Sequence, residues 1–201
     1  DLLEALLPRR CAVTEYGGYR FTGFKRDVDH SVPPQGLRNS NFISGVLKNE
    51  GVSRMAITAV RIDGRLIHGQ VANLWTTKLG VTRIMVIDDQ VAASDIEKAG
   101  LKLARPAGVD LSVLPEKVAA DHINRGGYDS QKVFIVVKRP QILLDLVNDG
   151  VKLEAVNVGN MSQTDETTQL TNSINVVQED VDAFNALHEK GIKLTQQMVP
   201  G

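Results

Sequence analysis

Between Arg61 and Val71 the chain reads RIDGRLIHGQV, which places one histidine, His68, close to two arginines and an aspartate. An imidazole titrates near pH 6.5, about where a neutral nitrogen nucleophile is still available in the cell. Such a nitrogen can take a phosphoryl group, and phosphoryl transfer asks a protein mainly for positioning and charge stabilisation. Guanidinium forks and loop N–H groups supply both. Arg61 and Arg65 flank the histidine, and Asp63 adds a carboxylate to the same segment. Gly69, without a side chain, lets a protein partner approach closely. The bland alternative is a structural histidine in a solvated, salt-bridged loop, since charged clusters are often structural.

The flanking pattern says what must position these groups. Residues 57–62 are a short β-branched run ending at Asp63-Gly64, a strand running into a loop. Residues 68–78 carry Val71, Leu74, Trp75 and, just beyond, Leu79 at near-helical spacing, with Gly80 as the stop. That helix would turn its positive N-terminal end toward a phosphoryl group on His68. Strands are expected at 83–87, 109–113, 132–137, 154–158, 174–177 and 192–197. Between them lie a helix capped by Ser94 and reaching about Leu103, one from Pro115 through Ile123, and helices at 141–147 and 180–189. This alternation predicts an α/β fold: a doubly wound, mainly parallel sheet with helices on both faces. In such sheets ligand groups gather outside the carboxyl ends of the strands. Those ends carry Asp63-Gly64-Arg65, Asp88-Asp89, Lys138-Arg139 and Asn157-Val158-Gly159-Asn160.

Other chemistry-bearing residues carry less. His122 and His188 fall in helical segments and His30 lies far upstream; none has companion ligands at metal spacing. Asp88-Asp89 could bind a cation, but acids at strand ends commonly cap the following helix. Lys138-Arg139 could attract phosphate or an acidic partner, or simply be solvated. Trp75 reads as a packing anchor rather than a sugar platform. No GxGxxG follows a strand and no Walker-type lysine loop is present, so no nucleotide cofactor is expected, and no metal either.

Composition narrows the class. The 201 residues are 42% apolar and 23% charged, with a net charge of −1. That is an ordinary globular balance, with no basic field for nucleic acid and no polybasic membrane patch. No apolar run is long enough to span a bilayer, and DLLEALLPRRC lacks the order of a secretory signal. One cysteine, Cys11, excludes an internal disulfide framework and gets no role. A cytoplasmic protein is expected, and self-association is left open.

The chain changes character near Met55. Residues 1–54 hold five of the nine aromatics and eight Lys/Arg against six Asp/Glu, a charge of +2; the remainder has 15 against 18, or −3. The first stretch has no sustained period and contains Gly17-Gly18 and Pro33-Pro34. It could be a tail or linker, a fragment of an upstream domain, or sequence not made in the cell. Glu50-Gly51-Val52 can be encoded with a purine-rich ribosome-binding sequence just upstream of Met55, so Met55 is read as a start and the preceding residues as a translated leader. The division is therefore 1–54 as an extension of uncertain status and 55–201 as the working domain.

The segment RIDGRLIHGQV followed by Trp75 resembles the active-site loop of the mannose/sorbose-type IIB subunits of the bacterial sugar phosphotransferase system (PTS). IMVIDDQVAASD at 84–95, AVNVGNM at 155–161 and GIKLTQQMVP at 191–200 are similar to further segments of that family, in the same order. The resemblance covers about residues 56–200. It implies a phosphocarrier with no cofactor, whose His68 takes phosphate from a phosphohistidine of a IIA partner and passes it to a sugar imported by membrane IIC and IID subunits. It implies that Arg65, Arg61 and Asp63 surround the phosphorylated histidine, with Nδ1 as the accepting atom. It also implies that Gly69, Gln70, Asn157, Gly159 and Met161 serve substrate or partner binding. Many members have a second glycine where this chain has Asn160. A different class of function, a regulatory receiver-like domain, would use the acidic pair and Lys138. It needs a phospho-accepting aspartate at a middle strand end, where this chain reads Val113-Leu114-Pro115.

Overall fold

Val133–Val137 is buried along its whole length because it lies inside a parallel sheet covered on both faces. It is β4 in a computed structural model that describes residues 57–200. The extension, with Cys11, His30 and the proposed start Met55, lies outside the described residues.

The other strands are β1 (Ile57–Asp63), β2 (Arg83–Ile87), β3 (Asp110–Leu114), β5 (Ala155–Asn160), β6 (Thr168–Thr171), β7 (Ile174–Val176) and β8 (Lys193–Gln196). Six of them form one sheet in the order β3-β2-β4-β1-β5-β8, and every pairing in it is parallel. From β1 the chain runs outward through β2 to the edge strand β3, then returns through β4 and crosses to β5 and β8, so β1 and its neighbour β5 send their connections in opposite directions from their carboxyl ends. Ligands of doubly wound sheets bind at such a point.

Alternation along the strands builds two cores. Ile62, Met85, Ile87, Ile135, Val137 and Val158 face one way, against Ala119 and Ala120 of α5 (Glu116–Asn124), Leu143 and Leu146 of α6 (Pro140–Asn148), and Phe184 and Leu187 of α7 (Gln178–Glu189). Ile84, Val86, Phe134 and Val136 face the other way, against Leu66, Ile67, Val71 and Trp75 and against Val91 and Leu101. The second layer comprises α1 (Gln70–Trp75), α2 (Thr76–Leu79), α3 (Asp89–Ala93) and α4 (Asp95–Ala104).

Four features differ from the expected pattern. The helix after His68 starts at Gln70 and its first part is π-helical, a form that recurs at functional sites. Residues 174–177 contribute β7 not to the main sheet but to an antiparallel hairpin with β6, whose polar TQLT sequence gave no strand signal. The short α3 was also unforeseen; Asp88 starts it by accepting the Val91 N–H at 2.9 Å. Pro115 precedes α5 as its N-cap rather than occupying its first turn. Ser94 caps α4 as expected, accepting the Glu97 N–H at 3.2 Å, and Gly80 ends α2 in the left-handed conformation.

Candidate functional site

Period-2 geometry aims Arg61 and Asp63 away from Val60 and Ile62, toward the face that carries Trp75. On the adjacent strand Asn157 pairs with Arg61, and a register shift follows: Ile62 pairs with Val158, but Asp63 pairs with Asn160. Gly159 is the extra residue of that bulge, a device that often re-aims side chains beside active sites. Its lack of a side chain is required, because a Cβ there would overlap the Arg61 guanidinium.

Beyond Asp63 the chain folds back on itself. The Leu66 N–H donates to the Asp63 carbonyl at 2.9 Å, and Leu66 takes a left-handed conformation, φ 55°. That conformation costs a non-glycine residue about 1–2 kcal/mol, and such strain concentrates where function constrains the backbone. Burial of the Leu66 and Ile67 side chains in the second core pins the turn. The result returns His68 to the end of its own strand.

There Asp63, fully buried, is the hub. Its Oδ2 lies 3.0 Å from His68 Nε2 and accepts from Arg61 Nη2 at 2.9 Å and Arg61 Nε at 3.2 Å. Its Oδ1 accepts from the Arg65 backbone N–H and from Arg65 Nε, each at 3.2 Å. Burial alone would raise the Asp63 pKa, but the Arg65 and His68 hydrogen bonds and the Arg61 charge outweigh it and hold the carboxyl below its usual range. Burial lowers the pKa of Arg61, opposed by Asp63. Arg61 is fully buried, whereas the Arg65 side chain is 42% exposed and that of His68 is 19% exposed. One guanidinium is therefore enclosed, and the other, though bonded to Asp63, is partly open to solvent.

The expected site residues separate accordingly. His68, Arg61, Arg65 and Asp63 form one cluster, and Asn157 joins it by accepting from Arg61 Nη1. Gly159 makes room for Arg61. Gly69 is exposed, with open space where a side chain would be, and Gln70 opens α1 beside it. Met161 does not reach the cluster. Its side chain is buried in the first core and its backbone holds the β6–β7 hairpin, donating to the Ser173 carbonyl at 2.8 Å and accepting the Asn175 N–H at 3.1 Å. In this structure Met161 anchors the hairpin. Residues absent from the expected set also take part: the Gln197 and Met198 carbonyls accept from Arg61, and Trp75 Nε1 donates to the Met198 carbonyl at 3.2 Å.

The second acidic and basic group lies elsewhere. Asp88, Asp89, Glu116, Lys138 and Arg139 line a cavity of about 530 Å³ that none of the His68 cluster lines. Asp88 is engaged as the α3 cap, and Asp89 accepts the Glu116 N–H at 2.8 Å. Among the described residues no group of three or more His, Cys, Asp or Glu could hold a metal ion.

Residues 57–201 match the family model described as "PTS system sorbose subfamily IIB component". The chain is 36% identical over 145 residues to the sorbose-specific EIIB component of Lacticaseibacillus casei, covering 72% of this chain and 88% of that protein. It is 38% identical over the same length to the mannose-specific EIIAB component of Escherichia coli K12, of which it spans 45%. Among solved structures, the IIBSor domain of the sorbose permease from Klebsiella pneumoniae superposes with a TM-score of 0.70 at 31% identity, covering 72% of this chain and 89% of that one.

Proposed function

Since this chain belongs to the sorbose subfamily of PTS IIB components, we propose that His68 is the residue on which it carries phosphate. A IIB component is a phosphotransferase: it accepts a phosphoryl group from a IIA partner and passes it to a sugar during uptake through IIC and IID subunits. The observation that carries the assignment to His68 is the 3.0 Å contact between its Nε2 and the buried carboxylate of Asp63.

An ionised carboxylate accepts hydrogen bonds and donates none, so Nε2 carries the proton. In a neutral imidazole that leaves the lone pair on Nδ1, which makes Nδ1 the nucleophile. Nδ1 attacks the phosphorus held by the IIA phosphohistidine. The new N–P bond forms as the old one breaks, and the IIA imidazole leaves with the bonding pair. The His68 ring then bears phosphate on Nδ1 and a proton on Nε2, and Asp63 balances the positive ring. Arg65, half exposed and tethered to Asp63 through its Nε and, at 3.4 Å, through Nη2, offers the other N–H groups of Nη1 and Nη2 to the phosphoryl oxygens as charge develops. In the second transfer a sugar hydroxyl oxygen attacks the phosphorus as the N–P bond to His68 Nδ1 breaks. The ring leaves with the bonding pair, neutral and still protonated on Nε2, and the hydroxyl proton passes to water or to a base beside the sugar in the membrane subunits.

The partners follow from this chemistry. The exposed Gly69 gives a IIA surface close access to the ring, and Gln70 lies at the same edge. Among the described residues no helix is long and apolar enough to cross a membrane. Work on the cytoplasmic side, docked on the membrane subunits, fits that domain. The test is phosphate acceptance from a phosphorylated mannose- or sorbose-type IIA protein. Wild type is expected to gain phosphate in an acid-labile, alkali-stable linkage, and folded His68→Ala none. A folded His68→Ala that accepts phosphate at the wild-type level would end the assignment.

A further inference from the structure

Arg61 is fully buried yet carries five N–H donors, and an unpaired donor in such a place is costly. Each has an acceptor. Nε and one proton of Nη2 go to Asp63, and one proton of Nη1 goes to Asn157 Oδ1. The last two go to backbone: Nη1 donates to the Gln197 carbonyl at 2.8 Å and Nη2 to the Met198 carbonyl at 3.3 Å. These carbonyls belong to the segment just past β8, 136 and 137 residues along the chain from Arg61. The Met198 carbonyl also accepts from Trp75 Nε1, and the Trp75 ring lies 4.9 Å from Arg61 Cζ, face to the guanidinium. Trp75 in turn stacks on Phe134, with ring centroids 6.3 Å apart.

We propose that Trp75 and the strap Gln197–Met198 are positioning elements of the transfer site, acting through Arg61 on Asp63 and through Asp63 on the tautomer of His68. This rests on His68 being the phosphate carrier. Neither element reaches the phosphoryl group. If the strap is lost, two Arg61 N–H groups are orphaned, and the guanidinium turns or draws water to satisfy them. Asp63 shares Oδ2 between that guanidinium and His68 Nε2, so its carboxylate shifts with it. The ring is then no longer held with its proton on Nε2. Because the strap acts through main-chain carbonyls, its contribution is independent of the side chains at 197 and 198.

Two variants of the full chain test this, each read in two ways. Trp75→Phe keeps an aromatic ring between Arg61 and Phe134 while removing the Nε1–H donor together with part of the indole. A chain ending at Gln196 removes the strap. The first readout is the ¹⁵N spectrum of the unphosphorylated His68 imidazole; the second is the kinetics of phosphate acceptance from the phosphorylated IIA protein. Wild type is expected to show one tautomer, with the proton on Nε2. Trp75→Phe should move toward a tautomer mixture and lose about tenfold in kcat, as supporting-residue losses commonly do. Its KM for the donor should stay within about twofold, since no contact to the donor is removed. The strap deletion should lose more, on the order of a hundredfold. A folded Trp75→Phe with a single tautomer and the wild-type kcat overturns the proposal, whether or not the shortened chain folds. Wild-type protein that takes no phosphate on His68 would overturn the function proposed above, and the tautomer spectra would still decide the role of the strap.

Discussion

The Arg61 guanidinium occupies the space that any side chain at Gly159 would need. The bulge in β5 and the buried charge in β1 are therefore coupled: Gly159 cannot gain a side chain while Arg61 holds its place. Gly159→Ala should lower stability by on the order of 3 kcal/mol, the upper range for overpacking, because the displaced group is a buried ion-pair partner. Phosphate acceptance should fall with it as Asp63 loses its anchor. Urea unfolding checks the first effect, and an unchanged midpoint would mean that Arg61 has room to move.

Arg65→Ala separates the second arginine from the first. Its side chain is 42% exposed, so losing its ion pair should cost only about 0–1 kcal/mol. Transfer should slow about a hundredfold, as when one preorganised donor to a transition-state oxygen is removed. A sharp fall in melting temperature with unchanged transfer would contradict this division.

Asp63→Asn keeps the shape of the hub and removes its charge. Transfer should drop on the order of 10³-fold, since an amide no longer dictates which ring nitrogen bears the proton. Stability should fall by about 3–5 kcal/mol because Arg61 is left as a buried, unbalanced charge. The variant also changes the acid response. In the folded protein Asp63 is held below its usual range. Its stabilisation is therefore complete above the unfolded value of about 3.9 and is lost as the pH falls through the lower folded value. Unfolding midpoints measured between about pH 2 and 6 should show this acid-side slope in wild type and a smaller one in Asp63→Asn.

Much of this was legible in the sequence because it is local. Arg61, Asp63, Arg65 and His68 are close neighbours in the chain, and β1 needs only its alternating pattern to aim the first two. The buried run Val133–Val137 announces a central strand by composition alone. What was hidden is non-local or made of backbone. The Gln197 and Met198 carbonyls have no residue-type signature and meet Arg61 only because β8 lies beside β5. Trp75 was recognisable as a packing residue, but its N–H finds a partner 123 residues away. Met161 sits in a motif that suggests contact, while its main chain binds the hairpin. β7 is readable from its apolar residues, but β6, and with it the hairpin, is not, because a polar four-residue strand bears almost no hydrophobic pattern.

Residues 55–201 should accept phosphate at the rate of the full chain. The matched family segment begins at Ile57, and every strand of the six-stranded sheet lies after it. Thermal unfolding and phosphate acceptance of the two forms, side by side, check this. A tenfold or greater loss in the shorter form, flagged as a real defect against about twofold scatter, would show that residues 1–54 belong to the working unit.

The most direct test of the account is the nitrogen that bears the phosphate. Protein labelled with ¹⁵N in histidine and phosphorylated by the IIA donor should show a ³¹P–¹⁵N coupling to His68 Nδ1, with a proton retained on Nε2. Phosphate on Nε2, or on a residue other than His68, would contradict it.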